Sequence, residues 1–373
     1  MDKISTNILV IGAGVVGLAI SRRLMLEGKE VILIDKNQNI AEEVSARNSG
    51  VIHAGFYYPK GSIKSKLCNR GNKMLYKYCD EKGIYSKNTG KIVIGNTDQD
   101  LKKINQYISN TEHYGGQPLR FLNSSLIKEM EPNVVAEFGV FSKETGILDV
   151  HEYAESLAND FESGGGYLSK NSIFKSLKKK NNKFISSIKT GEEEFEIISE
   201  YIIFSAGLSS GDILSKKNFD QEVSGIKKLN FTKGHYFKLK GKSPFNHLIY
   251  PMPTKLGLGI HAGFDIDGSV RFGPDTEIVD KISYDFEPAM KTKFLNAIKK
   301  YYPEITKDSI KEDYVGIRPK IQTHDESFAD FSILTKSDHQ IENMIFLQGI
   351  ESPGLTCSLA LAEMISNNVE NIA

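Results

Sequence analysis

The most constraining feature of this sequence is a glycine pattern between two apolar runs within residues 7–35. Residues 8–11 form a continuous apolar run, typical of a parallel strand that is buried on both faces. Glycines then follow in the spacing G-x-G-x-x-G, and a helical pattern leads to Gly28. A second apolar run, Val31–Ile34, ends at Asp35. This order of strand, glycine turn, helix and strand predicts the first unit of a parallel α/β domain that binds a dinucleotide.

The glycines and the helix start each have a role in such a site. Gly12 allows a tight turn out of the first strand, and Gly14 lets a pyrophosphate approach the backbone. Gly17 allows the helix to pack closely on the strand. The free backbone amides near Val15 and Val16, at the start of the helix, attract phosphate charge. The pattern therefore predicts a pyrophosphate site at this turn.

The end of the second strand carries the predicted ribose contact. Asp35 stands where a carboxylate binds the hydroxyl pair of an adenosine ribose, and we include its neighbour Lys36 in the site. NAD and FAD share the ADP half, so the fingerprint alone does not distinguish them. The motif occurs once in the sequence, which argues against a reductase with two dinucleotides.

Composition and charge narrow the class of protein. At 373 residues the chain is long enough for two domains. Lys+Arg and Asp+Glu are both 47, so the basic excess of a nucleic-acid-binding protein is missing. The 3 cysteines form no CxxC pair, and neither a leader-like segment nor a membrane-length apolar run is visible. We therefore expect a cytoplasmic protein.

A basic run at residues 227–242, KKLNFTKGHYFKLKGK, interleaves lysines with aromatic residues. The run is typical of a strand with a solvated lysine face. The alternative is a surface that lies peripherally on the inner, anionic face of a membrane.

Beyond Asp35 the sequence does not continue as a regular second strand–helix–strand unit. It predicts strands at Lys91–Gly95 and residues 200–207, helices at Asp98–Tyr114 and residues 151–163 and 287–302, extended chain at residues 139–148, and short strands between residues 228 and 273. A strand, a glycine turn and an amphipathic helix occupy residues 343–366. This order predicts a discontinuous nucleotide-binding domain with sheet-rich insertions.

The last glycine turn is a second candidate anion site. It contains Gly349, Pro353, Gly354 and Leu355, and it stands at the start of the final helix. A plain connection between a strand and a helix is the alternative.

Six stretches of the sequence resemble the D-amino-acid-oxidase (DAO) superfamily of FAD enzymes. They are VIGAGVVGLAIS, ARNSGVIHAGFYYPKGSIKSKLCNRGNKMLY, HLIYPMP, LGIHAGFD, GIRPK and GIESPGLTCSLALAE. Within the superfamily they are most similar to the L-2-hydroxyglutarate dehydrogenase/oxidase branch. The similarity runs from the first strand to the final helix, and its most branch-specific part is NSGVIHAGFYYPKGS.

The resemblance implies a fold and a cofactor. The fold is α/β, with a Rossmann-like FAD-binding domain of the glutathione-reductase type, DAO subclass, and an inserted α+β substrate domain rich in β-sheet. We place the FAD-binding domain at residues 1–88, 149–222 and 318–373, and the substrate domain at residues 89–148 and 223–317. The further FAD contacts implied by position are Arg47, Asn48, Ser49, Gly50, Val51, Ile173, Ala206, Gly207, Gly349, Pro353, Gly354, Leu355 and Thr356.

Oxidation of a 2-hydroxy acid needs a cation for the carboxylate, a base for the hydroxyl proton and a hydride acceptor, which flavin supplies. Arg318 in GIRPK is the candidate clamp, because a planar guanidinium holds a carboxylate with two parallel hydrogen bonds. The similar stretch of amino-acid oxidases binds the substrate carboxylate. Tyr250 is a candidate phenolic donor, and the candidate bases are His53, His261 and, third, His235. Salt bridging or packing is the structural alternative for each.

The sequence thus predicts an FAD-dependent dehydrogenase or oxidase of a small anionic 2-hydroxy acid, with L-2-hydroxyglutarate and 2-oxoglutarate as the leading pair. An FAD-dependent oxidase or dehydrogenase of an amine or amino acid, of the glycine, sarcosine or D-amino-acid type, is the alternative. An RNA-modifying or scaffold flavoprotein is a third hypothesis, which the neutral charge disfavours. Oxygen and a quinone are both open as electron acceptor, and we expect no metal ion.

Overall fold

The computed structural model describes residues 2–114, 117–213, 219, 223–252, 259–287, 289–322 and 328–370. The chain divides into two compact units. Unit 1 comprises Met1–Ala46, Val150–Asn230 and Arg318–Ala373, and unit 2 comprises Arg47–Asp149 and Phe231–Ile317. Within the described ranges, no helix combines the length and apolar character that crossing a membrane requires.

The α-helices are α1 (Val15–Leu26), α2 (Ile63–Lys82), α3 (Asp98–Tyr114), α4 (Ser124–Met130), α5 (Val150–Ser163), α6 (Ser210–Ile213), α7 (Met290–Ile298), α8 (Lys336–His339) and α9 (Gly354–Glu370). The strands are β1 (Lys3–Ile11), β2 (Val31–Ile34), β3 (Val51–Ile52), β4 (Ser86–Lys87), β5 (Lys91–Gly95), β6 (Leu119–Asn123), β7 (Phe138–Ser142), β8 (Gly146–Leu148), β9 (Tyr167–Ser169), β10 (Ser172–Lys180), β11 (Lys183–Thr190), β12 (Glu193–Phe204), β13 (Leu229–Leu239), β14 (Leu248–Pro251), β15 (Ala262–Phe264), β16 (Val270–Phe272), β17 (Glu277–Val279), β18 (Ile310–Ile321), β19 (Ser332–Leu334) and β20 (Met344–Gln348). Short 3₁₀ turns occupy Gly207–Ser209 and Lys307–Ser309.

Unit 1 is built on a sheet with the strand order β10-β11-β12-β1-β2-β9, with β20 beside β12 and β19 beside β20. The strand β1 pairs in parallel with β2 and β12, and β12 pairs in parallel with β20. Helix α1 packs against α5 and α9, and the sheet buries Leu9, Phe204 and Phe346 in one core. Because these four strands are parallel, their carboxyl ends meet at one edge of the sheet.

Unit 2 contains a mixed sheet with the strand order β17-β13-β16-β15-β14-β5-β7-β6 and a small sheet with the order β3-β8-β4. Helix α2 begins where Ser62 Oγ accepts a hydrogen bond from Ser65 N–H (3.1 Å), and it ends at Gly83, whose φ of +68° is left-handed. The larger sheet buries Phe237 and Phe294 in its core. The antiparallel pairs of this sheet bring residues that are distant in sequence next to each other.

The predicted strand Lys91–Gly95 and helix Asp98–Tyr114 are confirmed as β5 and α3. The helix predicted at residues 151–163 begins at Val150. The helix predicted at residues 287–302 is shorter, Met290–Ile298. The amides of Lys300 and Tyr301 donate to the carbonyls three residues earlier, whereas the amide of Tyr302 donates to the carbonyl of Ile298, four residues earlier. The last predicted turn therefore mixes 3₁₀ and α-helical hydrogen bonds.

The sequence-based assignment of residues 47–88 differs from the clustering of the chain. These residues cluster with unit 2, although we assigned them to the FAD-binding domain, and the functional domain boundaries stay a prediction. Pro253 of HLIYPMP and Leu258 of LGIHAGFD lie outside the described residues.

Candidate active site

The turn between β1 and α1 is sterically restricted to glycine at Gly12 and Gly17. Gly12 has a φ of +104°, and a Cβ there would lie 2.6 Å from the carbonyl oxygen of Ser205. A Cβ at Gly17 would overlap the carbonyl oxygen of Gly12, and one at Gly14 would lie 3.0 Å from Ser45 Oγ. The turn therefore keeps its backbone bare, as a pyrophosphate site requires.

The start of α1 offers backbone amides to an anion. The N-cap residue Gly14 has no side chain to cap the helix, and the first turn of the helix carries no acidic residue. Val15 N–H donates to Ser45 Oγ (3.1 Å), which places a hydroxyl beside the helix start, and Val16 follows in the same turn. The helix dipole favours a phosphate at this position.

Asp35 follows β2 directly and is held by the backbone. Its Oδ2 accepts from Ala13 N–H (2.6 Å) and its Oδ1 from Asn37 N–H (2.8 Å). Burial raises the pKa of Asp35, although the hydrogen bonds from Asn37 and Ala13 oppose the rise. Each carboxylate oxygen keeps a lone pair for a ribose hydroxyl. The Lys36 ammonium pairs with Glu43 (2.7 Å).

Two further segments of unit 1 reach these strand ends. Ser172 N–H donates to the carbonyl of Asp35 (2.7 Å), so Ile173 directly follows a residue that contacts Asp35. Ser205 Oγ donates to the carbonyl of Gly12 (3.0 Å), which joins the end of β12 to the glycine turn. The two residues that follow Ser205 are Ala206 and Gly207.

The loop between β20 and α9 is a second glycine turn at the same edge of the sheet. Gly349 has a φ of +65°, and a Cβ there would lie 2.5 Å from Ile321 Cγ1. Pro353 precedes α9, which begins at Gly354. The next two residues of the helix are Leu355 and Thr356. The bare backbone of both turns, the amides at the start of α1 and the Asp35 carboxylate fit the ADP half of FAD.

Residues 47–51 form an ordered loop in unit 2. The guanidinium of Arg47 lies 4.2 Å from the centroid of the Tyr284 ring. Asn48 Oδ1 accepts from Gly50 N–H (2.8 Å), and Gly50 has a φ of +62°. Val51 then begins β3. The loop is therefore fixed by its own turn and by a cation–π contact.

Unit 2 also contains a small pocket. It is lined by Ser49, Tyr236, Tyr250, His261, Gly263, Phe264, Arg271 and Gly273. The antiparallel pairing of Ile249 with Ala262 sets Tyr250 beside His261, and their rings stack with centroids 3.7 Å apart and planes 8° apart. The structure thus brings together two predicted site residues, and His261, which is 9% exposed, borders the pocket.

His53 lies in the loop after β3 and is buried. Its carbonyl oxygen accepts from Asn72 Nδ2 (3.0 Å). Burial, the charge of Lys91 and the proximity of His261 together lower the pKa of His53 to about 3. A group with so low a pKa is a weak base at neutral pH.

Lys91 is a candidate functional residue that the sequence analysis missed. It is 0% exposed at the start of β5, and within the described part of the chain its Nζ has no hydrogen-bond partner. The Nζ lies over the rings of Tyr57 (4.4 Å), Tyr250 (4.8 Å) and Phe56 (4.9 Å). Burial lowers the pKa of Lys91 from 10.5 to about 7. The available signal was a lysine that opens the apolar strand KIVIG.

Two arginines occupy different environments. Arg271 lines the pocket, but its Nε donates to Asp313 (2.5 Å) and its Nη2 to Asp265 (2.8 Å). Two carboxylates therefore already balance its charge. Arg318 lies on β18, is partly buried and belongs to unit 1. Its assignment as the carboxylate clamp stays a prediction.

The third candidate base, His235, is buried on β13, and its Nδ1 hydrogen-bonds Asp275 Oδ1 (3.0 Å). Its neighbour Tyr236 lines the pocket. Successive side chains of a strand point to opposite faces, so His235 is directed away from the face that carries Tyr236. The structure does not bring His235 together with His261.

The chain is similar over its whole length to known proteins. It is 34% identical over 406 residues to the L-2-hydroxyglutarate dehydrogenase, mitochondrial, of Arabidopsis thaliana, across 98% of this chain and 83% of that protein. It is 28% identical over 419 residues to the Homo sapiens protein of the same name, across 98% and 89%. Its fold is similar to that of dithionite-reduced L-alpha-glycerophosphate oxidase from Mycoplasma pneumoniae with FAD bound, with a TM-score of 0.85, 20% identity and coverage of 96% and 93%.

The FAD dependent oxidoreductase (DAO) family matches residues 7–367, from the first strand to the final helix. This match confirms the predicted family and FAD as the cofactor, and the similarity to the Mycoplasma oxidase confirms the fold class. The glycine turn, Asp35 and the loop before α9 all fall within the matched range. The chain therefore belongs to the DAO family of FAD-dependent oxidoreductases.

Proposed function

We propose that this enzyme oxidises a small 2-hydroxy acid to the 2-oxo acid, with L-2-hydroxyglutarate as substrate and 2-oxoglutarate as product. The observation that carries the proposal is the 34% identity, over 98% of the chain, to the Arabidopsis L-2-hydroxyglutarate dehydrogenase. The reaction removes a hydride from the hydroxyl-bearing carbon and a proton from the hydroxyl group. Bound FAD supplies the hydride acceptor.

The residues of unit 1 are proposed to hold the ADP half of FAD. The bare turn at Gly12 and Gly14 and the start of α1 receive the pyrophosphate, and Asp35 accepts from the ribose hydroxyls. Further proposed FAD contacts are Arg47, Asn48, Ser49, Gly50, Val51, Ile173, Ala206, Gly207, Gly349, Pro353, Gly354, Leu355 and Thr356.

We assign the proton-accepting role to His261. Its position in the pocket wall and its stacking on Tyr250 support this role, because a ring held in one orientation can meet a substrate hydroxyl repeatedly in the same way. The low pKa of His53 argues against that residue as the base. Burial raises the pKa of Tyr250, so its phenol stays protonated and can donate a hydrogen bond to a substrate oxygen.

Lys91 is proposed to favour an anionic substrate. A buried cation without a carboxylate partner is unfavourable, and an anion bound nearby offsets part of that cost. Lys91 lies close to the pocket, because its Nζ is 4.8 Å from the centroid of the Tyr250 ring, and Tyr250 lines the pocket. Arg318 stays the proposed carboxylate clamp.

The test is anaerobic mixing of the purified, FAD-loaded protein with L-2-hydroxyglutarate, D-2-hydroxyglutarate, glycine, sarcosine and D-amino acids. We expect L-2-hydroxyglutarate to bleach the visible flavin absorbance and to yield one equivalent of 2-oxoglutarate. Bleaching by an amino acid, with L-2-hydroxyglutarate inert, would instead support the amine-oxidase hypothesis. Repeating the reduction and then adding oxygen or a soluble quinone identifies the electron acceptor.

The cytoplasmic location stays a prediction, since the named relatives are mitochondrial.

A further inference from the structure

Unit 2 contains a cluster of three side chains of types that bind metal ions. The proposed reaction assigns no role to any of the three. A ring nitrogen of His235 and one carboxylate oxygen each from Glu277 and Glu287 all lie within 4.8 Å of one another. Strands β13 and β17 pair with Lys233 opposite Glu277. His235 stands two residues further along β13 on the same face as Lys233, which brings it to the end of β17.

Two of these side chains carry buried atoms without a hydrogen bond. His235 is 0% exposed, and its Nε2 has no hydrogen-bond partner among the described residues. Glu277 Oε2 is likewise a buried atom without a hydrogen-bond partner among the described residues. Buried polar atoms are paired in the large majority of cases, so two unpaired ones in a single cluster require a cause. A bound cation would satisfy both.

Asp275 determines which nitrogen of His235 is available. Its Oδ1 accepts from the backbone N–H of His235 (2.7 Å) and contacts Nδ1 (3.0 Å), while its Oδ2 accepts from Lys293 Nζ (2.7 Å). A carboxylate that accepts at both oxygens requires a proton on Nδ1, so the lone pair lies on Nε2. A carboxylate behind the imidazole is the usual partner of a histidine that binds a metal ion.

Lys233 is the cation already present beside the cluster. Its Nζ lies 3.4 Å from Glu287 Oε1, and its side chain is 5% exposed. This contact serves Glu287 but leaves Glu277 Oε2 and His235 Nε2 without partners. Lys233 therefore competes for one ligand and does not fill the site.

We propose that His235, Glu277 and Glu287 form a binding site for a divalent transition-metal cation such as Zn²⁺ or Mn²⁺. One imidazole and two carboxylates suit such cations better than Ca²⁺ or Mg²⁺, which take oxygen ligands. Bonds near 2.1 Å require the ligand atoms to approach to about 3.4 Å. The Glu287 side chain is 44% exposed, so it can make that movement and gives the cation access from solvent.

The cation would link β13, β17 and the segment before α7. The residue after His235 is Tyr236, a wall residue of the pocket. Gly273, another wall residue, would place a Cβ 2.5 Å from the carbonyl of His235. The metal is thus assigned a structural role in holding the strand that carries part of the pocket wall.

The experiment uses the FAD-loaded protein after chelator treatment and desalting. Calorimetric titration with ZnCl₂ and electron paramagnetic resonance of added Mn²⁺ measure stoichiometry and affinity. We expect one cation per chain, with affinity lowered about tenfold or more by Glu277→Gln and by Glu287→Gln. Glu312→Gln, at an exposed position of β18, is the matched control and should leave the affinity unchanged.

Lys233→Gln tests whether a metal ion or the Lys233 ammonium balances the charge of the two carboxylates. If a metal binds, removal of the competing ammonium should tighten binding several-fold. The proposal is overturned if no stoichiometric cation binds to the parent protein, or if both glutamine variants bind it as tightly as the control. Flavin content and melting temperature show whether each variant is folded. If Glu277→Gln does not fold, the cation affinity of Glu287→Gln decides the outcome.

Discussion

The glycine turn of unit 1 and the pocket of unit 2 owe their shapes to different parts of the chain. The turn is contiguous, and backbone atoms make it, because a Cβ at Gly12 or Gly17 would meet a carbonyl oxygen. The pocket is assembled from segments as distant as Ser49 and Gly273, and side chains make it. A change in the turn should therefore remove the cofactor altogether, whereas a change in a pocket side chain such as His261 should leave the cofactor bound.

The largest effect is expected from Gly17→Ala. Its Cβ would overlap the Gly12 carbonyl oxygen, so either the turn or the packing of α1 must change. We expect a colourless protein whose affinity for FAD falls about a thousandfold or more, or about 4 kcal/mol. Flavin absorbance after purification and titration with FAD measure the effect. Gly211→Ala is the matched control, because a Cβ there meets nothing within 4 Å, and a yellow Gly17→Ala protein would contradict the backbone account.

The next effect is expected from His261→Gln, which leaves the glycine turn untouched. Loss of a positioned proton acceptor should lower kcat about a thousandfold while FAD stays bound. The rate of anaerobic flavin reduction at saturating substrate measures it. His151→Gln, at an exposed position of α5, serves as the control. If His53→Gln abolished reduction while His261→Gln reduced flavin normally, the two histidines would have to exchange roles.

The same contrast explains what the sequence revealed. The glycine spacing, Asp35 and the strands around them could be predicted because each depends on neighbours within one strand–helix–strand unit. Tyr250 and His261 were both singled out, but their stacking depends on the pairing of β14 with β15, which no local pattern specifies. Lys91 was missed because its aromatic neighbours come from two other segments.

Lys91→Met tests whether the buried charge of Lys91 lowers the free energy of unfolding. Lowering the pKa of Lys91 from 10.5 to about 7 costs the charged form about 5 kcal/mol. Its ring contacts return about 2 kcal/mol. We therefore expect the variant to raise the free energy of unfolding by about 3 kcal/mol at pH 6 while turnover of the anionic substrate falls.

The pH dependence of this gain has a definite sign. Below pH 7 the lysine is charged in both the folded and the unfolded state, so the folded protein bears the whole cost. Between pH 7 and 10.5 the unfolded chain binds the additional proton, so the parent protein gains stability as pH rises and the advantage of the variant shrinks. Urea unfolding of the FAD-saturated protein at several pH values measures this, with exposed Lys87→Met as control. A variant less stable than its parent at pH 6 would contradict the buried charge.

The smallest effect is expected from Arg318→Lys. A lysine keeps the charge but loses the two parallel hydrogen bonds, so KM for the hydroxy acid should rise about tenfold, or about 1.4 kcal/mol, with kcat little changed. Arg271→Lys is the informative partner, because the Arg271 guanidinium is engaged by Asp265 and Asp313. Arg271→Lys should lower the melting temperature and leave KM for the hydroxy acid little changed. The opposite result, a KM effect confined to Arg271→Lys, would move the carboxylate clamp from Arg318 to Arg271 in the pocket wall.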